Sequence, residues 1–256
     1  MINVSSKKSN RTNNNKNNNY NSLVLVLSLV LVCSGFILFS YKRTSLSLNK
    51  KNEQIDNFMN LMPISRSEPK YEPEKWNKYS KVKSSHNCYS YMLNDINPYL
   101  SKLYLNGKKK YINPQPGHYC GMTKKVNKDE TTCHGLKKRV LCDNKHIFEI
   151  NRNKKCPPNF YKGALTVNPK KQYHFYRQDQ TGYWSHKDGG RAATNLDASG
   201  KLILDPQCAD RNHSKENKES DFKQFCNYFC IPKNEYKKTS ASRRKHILPH
   251  NLLYKI

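Results

Sequence analysis

Hydrophobic and polar positions divide the chain into unequal parts. Residues 1–22 hold almost nothing that could be buried, and they contain the runs Asn13-Asn14-Asn15 and Asn17-Asn18-Asn19. Such a stretch is predicted to be a disordered tail. Residues 23–39 (LVLVLSLVLVCSGFILF) carry no charge, and Ser40 and Tyr41 extend them to Lys42-Arg43. At about 1.5 Å per helical residue this run just crosses an apolar layer of about 30 Å. It lacks the Ala-x-Ala-like site of a cleaved signal peptide, so residues 23–41 are expected to be a retained signal-anchor that partners the membrane. Residues 42–70 are polar with a weak apolar pattern at Ile55, Phe58, Met59, Leu61 and Met62, and read as a stalk. A single α+β domain is expected over residues 71–235, followed by a basic tail over 236–256.

Within the domain, Tyr89, Met92 and Leu93 follow Ser85 and Asn87, which predicts a capped helix beginning at Cys88. Residues 160–167 (FYKGALTV) read as a strand ended by Asn168-Pro169. Residues 173–188 (YHFYRQDQTGYWSHKD) place two aromatic-rich runs around a Gln-Asp-Gln-Thr-Gly turn, the pattern of a β-hairpin. With an odd loop, His174 and His186 fall on one face of that ribbon, within hydrogen-bonding reach. Residues 222–230 (FKQFCNYFC) predict a closing helix or strand, and the polar, cysteine-bearing residues 116–160 a stapled insertion.

Charge adds less than its size suggests. The net +27 arises from 46 Lys and Arg against 19 Asp and Glu. These residues are spread along the whole chain, so they favour polyanion contact in general. No basic heptad, zinc-finger spacing or RNP-like strand indicates specific nucleic-acid binding. Lys7, Lys8, Arg11 and Lys16 precede the apolar run; Lys42, Arg43, Lys50 and Lys51 follow it, leaving charge silent on orientation. The short tail and the cysteine-bearing bulk favour a domain outside the cytoplasm or in a lumen, a virion membrane included. Of nine cysteines, Cys33 lies in the apolar run and eight lie in the domain. If Cys88 is a free nucleophile, one of the other seven is left over. His118, Cys120, Cys133 and His134 fit no known structural zinc spacing, and neither a metal nor a cofactor is expected.

A thiol hydrolase requires a thiolate, an imidazole and a group that orients the imidazole. A cysteine at a helix start, favoured as thiolate by the helix end, meets the first requirement. The order Asn87-Cys88-Tyr89-Ser90, His174-Phe175-Tyr176 and Trp184-Ser185-His186 resembles the NlpC/P60-like branch of the papain-fold cysteine peptidases. Asn87 to Tyr91 is equally similar to the nucleophile motif of CHAP-type amidases. The chain departs from the pattern at Asn87, where an acid is usual, and at Tyr89 and Tyr176, where small residues are usual. The resemblance implies a nucleophile helix packed on an antiparallel sheet, and cleavage of an amide or peptide bond, typically in peptidoglycan. Cys88 would attack, His174 would exchange the proton, and His186 would orient it. Asn195 or Asp197 could take the orienting place, and Gln115 or the Cys88 N–H the oxyanion. Arg177, Tyr183 and Trp184 would line the cleft. The contrasting expectation is a catalytically inactive, disulfide-rich ectodomain with a binding or structural role.

Overall fold

The computed structural model describes residues 36, 38–47, 61–108, 112–233 and 239. The chain forms two units, Met1–Met59 and Asn60–Ile256. In the first, Phe36 and residues 38–47 are helical. Most of the apolar run at 23–41 lies outside the described residues, as do residues 1–22 and most of the 236–256 tail. Among the described residues no helix is long and apolar enough to cross a membrane.

The second unit is α+β. Five short helices are described, α1 (Pro73–Asn77), α2 (Ser80–Ser85), α3 (Cys88–Met92), α4 (Pro98–Leu105) and α5 (Cys133–Asp143). The strands are β1 (Phe148–Ile150), β2 (Phe160–Asn168), β3 (Gln172–Gln178), β4 (Trp184–Lys187), β5 (Ala193–Thr194) and β6 (Gln224–Pro232). They form one antiparallel sheet in the order β1-β6-β2-β3-β4-β5. The closing element is thus a strand, inserted between β1 and β2.

Side chains alternate across this sheet and create two separate interiors. On one face Leu165, Val167, Phe175, Phe229 and Ile231 pack against α3 and α5 through Cys88, Tyr89, Met92, Leu136 and Val140. On the other, Ala164, Tyr176, Trp184 and Tyr228 pack with Met62 and Ile203. Gly163 marks a close approach of α3 to β2. A Cβ there would come within 2.4 Å of Ile231 Cδ1 and 2.8 Å of Met92 Cγ.

Three disulfides fasten the arrangement: Cys120–Cys142, Cys133–Cys226 and Cys156–Cys230. The latter two tie β6 to α5 and to the loop before β2. Within the cysteine-rich region 116–160, α5 contributes Leu136 and Val140 to the core. Of the eight domain cysteines, Cys88 and Cys208 remain as thiols, the first buried and the second exposed. That leaves no odd cysteine.

Candidate functional site

The helix start at Cys88 is built by Asn87. Its backbone is extended, its Oδ1 accepts from the Ser90 N–H at 3.2 Å, and its Nδ2 donates to the Pro114 carbonyl at 2.8 Å. This holds Cys88 inside the helix-side core, 5% exposed and packed with Phe175. Burial pushes its thiol up to about 12, and Asp188 pushes in the same direction. The Phe175 and Tyr89 N–H groups and the Lys187 charge oppose this, without compensating for the lost water. Lys187 is itself buried, its Nζ donating to the carbonyls of Lys83 at 2.5 Å, His86 at 2.6 Å and Gly189 at 2.5 Å. Burial brings its ammonium down to about 7.

The two histidines of the hairpin share a face. Register places Tyr176 opposite His186, so His174 is the diagonal neighbour of His186, two positions along β3. His174 Nε2 and His186 Nδ1 are 2.8 Å apart, and His186 Nε2 lies 3.0 Å from the Leu196 carbonyl. A carbonyl only accepts, so His186 carries its proton on Nε2 and accepts through Nδ1. His174 must then donate from Nε2, which leaves its Nδ1 as a bare acceptor, buried without a hydrogen-bond partner. His174 stacks on Phe222 at 5.0 Å and meets Tyr176 edge-on. The His213 ring lies 5.5 Å from that of His186, and its Nε2 is also buried and unpartnered. Burial lowers the His174 imidazole well below its usual range, and lowers His186 to about 4.

The structure does not bring these histidines to Cys88. Phe175, the neighbour of His174 in β3, points to the helix side and touches the cysteine's cluster. His174 points the other way, towards Tyr176 and Phe222. The sheet therefore separates thiol from imidazole. The orienting place beside His174 is taken by His186, itself held by the Leu196 carbonyl, and not by Asn195 or Asp197. Asp197 instead accepts from the Ser199, Lys201 and Asp210 N–H groups to close a turn. Gln115 lies on the Cys88 side, accepting from the Tyr173 hydroxyl.

The expected cleft residues are likewise parted. Arg177 is buried against Tyr91 and Asp179 on the helix side, Trp184 is in the opposite core, and Tyr183 sits in the turn between β3 and β4. Cys120 and Cys133 are consumed in disulfides. Among the described residues no group of three or more His, Cys, Asp or Glu is arranged to hold a metal ion. Sequence reading missed His213 and the Leu196 carbonyl. Neither carries a local signal: one lies 27 residues beyond His186, and the other is backbone.

No protein family and no solved structure gives a significant match to the chain. Over 48 residues it is 58% identical to insoluble matrix shell protein 1 of Ruditapes philippinarum, a stretch that makes up 19% of this chain and 32% of that protein. The chain thus spans about a third of that relative, and the likeness is to a short segment of it.

Proposed function

We propose that the second unit is an extracytoplasmic, disulfide-stapled domain with a binding or structural role, and that Cys88 is a packing residue of its core. The observation that carries this reading is the placement of Cys88 and His174 on opposite faces of the sheet. The Cys88 thiol is 5% exposed and burial disfavours its thiolate, which suits a packing role better than a nucleophile's. Three disulfides accord with an oxidising compartment. The segment shared with a matrix shell protein supports an extracellular setting. Net charge favours an acidic macromolecule as the ligand class.

A second reading, a membrane-anchored thiol hydrolase of papain-like fold acting on an amide or peptide bond, is favoured by one feature. Cys88 is left unpaired at an Asn-capped helix start beside an antiparallel sheet. Alkylation of the full chain separates the two. Under the first reading Cys208 is labelled at neutral pH, and Cys88 resists the reagent up to about pH 10, well past an ordinary thiol. Labelling of Cys88 below about pH 8.5, abolished in His174→Ala, would establish the thiolate–imidazole pair and replace the structural reading.

A further inference from the structure

We propose that His174, His186 and His213 form an acid-responsive latch that holds residues 195–222 on the sheet at neutral pH and releases them when its imidazoles are protonated. It does not depend on which reading of Cys88 holds. The geometry of the chain of donors carries it. Leu196 O accepts from His186, and His186 accepts from His174, at 3.0 and 2.8 Å. In the neutral pair this sequence leaves one ring nitrogen, His174 Nδ1, bare and without a partner. A proton added to His186 Nδ1 either sets N–H against N–H across 2.8 Å or drives the His174 proton to Nδ1, so a first added proton ends in an N–H at that unpartnered nitrogen. A proton added to His174 Nδ1 creates a cation in a site that is 1% exposed, with no acceptor facing it.

Titratable and charged groups face the latch from several packed elements. From β3 comes Tyr176, at the end of β4 Asp188, and from the β4–β5 turn Arg191. The covering segment supplies Asp197, Asp210, Arg211 and His213. Asp188, Asp197 and Asp210 favour charge on His213, yet burial outweighs them and lowers it. β2 adds Ala164 and Thr166 to this side, with Lys162 farther along bonded to the Pro63 and Arg152 carbonyls, and β6 adds Phe225 and Tyr228. Tyr228 is itself bonded to Asp205.

The segment is held by contacts that a local opening can break. Leu196 O meets His186, Phe222 stacks on His174, and Ile203 pairs with Trp184. None of the described disulfides involves the segment, whose Cys208 is a free thiol. Its release would uncover Tyr176 and Trp184. Depressed imidazole values mean that the closed state is favoured above the unperturbed value of about 6.5 and is weakened as pH falls below it. Each histidine locked neutral contributes about a tenfold loss of protection per pH unit in that window.

The test is hydrogen exchange of the full chain at pH 7.5, 6.5, 5.5 and 5.0, corrected for intrinsic rates. Protection across 195–222 should fall at least about tenfold between pH 6.5 and 5.5 while β2 and α5 stay protected. His186→Gln can still donate to Leu196 O and accept from His174, so it should keep the segment closed and show a shallower pH response by one proton. Unchanged protection down to pH 5.0, an even loss over the whole unit, or a wild-type slope in the variant would each overturn the latch. Should the variant not fold, imidazole nitrogen chemical shifts in the wild-type chain decide. Protonation of His186 that coincides with opening supports the latch, and protonation with the segment still closed refutes it.

Discussion

Arg177→Ala is expected to destabilise the second unit by about 3–5 kcal/mol, because it strands a buried carboxylate. Arg177 and Asp179 are each 1% exposed at their side chains and meet at 2.9 Å. The guanidinium also donates to Asn94 Oδ1 at 2.7 Å, to the Tyr91 hydroxyl at 3.2 Å and to the Lys70 carbonyl at 3.4 Å. It therefore links the strap before α1, the end of α3 and the β3–β4 turn. Its planar fork is the reason, and Arg177→Lys should recover only part of the loss. Denaturant unfolding of the full chain gives the number. The double change Arg177→Ala with Asp179→Asn should cost less than the sum of the single ones, since the orphaned charge is gone. Strict additivity would mean that the pair is not coupled.

The second large effect belongs to the disulfide joining α5 to β6. Cys133 and Cys226 close a loop of 93 residues. On the loop-entropy account, replacing both by serine costs about 4–5 kcal/mol, close to the whole stability of many domains. Cys120–Cys142 closes only 22 residues, and its removal should cost about 1 kcal/mol less. Thermal or denaturant midpoints of the two double variants, measured under oxidising conditions, check the order. The reverse order would show that the unfolded chain is already restrained near Cys133.

Much of the local structure is legible from the residues. Asn87 before Cys88 signals the cap, the aromatic runs on either side of the Gly182 turn signal the hairpin, and FYKGALTV signals β2. What a strand pattern cannot disclose is which face receives the helix. His174 and Phe175 are adjacent, and a hydrophobic stripe offers either as the inward residue. Here both faces are buried, so the alternation of polar and apolar residues gives no answer. Phe175 takes the α3 side, His174 is left with Phe222, and the expected triad divides. The same double burial explains why Lys162 and Lys187 occupy strand positions without reaching water. Their ammonium groups are satisfied by carbonyls from the strap, α2 and the turns, partners that no side-chain pattern records. Pairing of the cysteines was equally hidden, because Cys133 and Cys156 find partners far along the chain in β6.

The position of β6 sets the timetable of biosynthesis. Last of the described strands to be translated, it lies inside the sheet, and among the described residues β1 pairs with β6 alone. Until Gln224–Pro232 has emerged, β1 and one edge of β2 remain open, and Cys133 and Cys156 wait as thiols beside Cys120 and Cys142. Non-local pairing of this kind folds slowly. During the interval the nascent chain carries six domain cysteines, Cys88 and Cys208 included, with one native pair available among them, a situation in which wrong bridges form and must be exchanged. Yield of the native protein should therefore follow the supply of a thiol-exchange catalyst in the compartment where it is made.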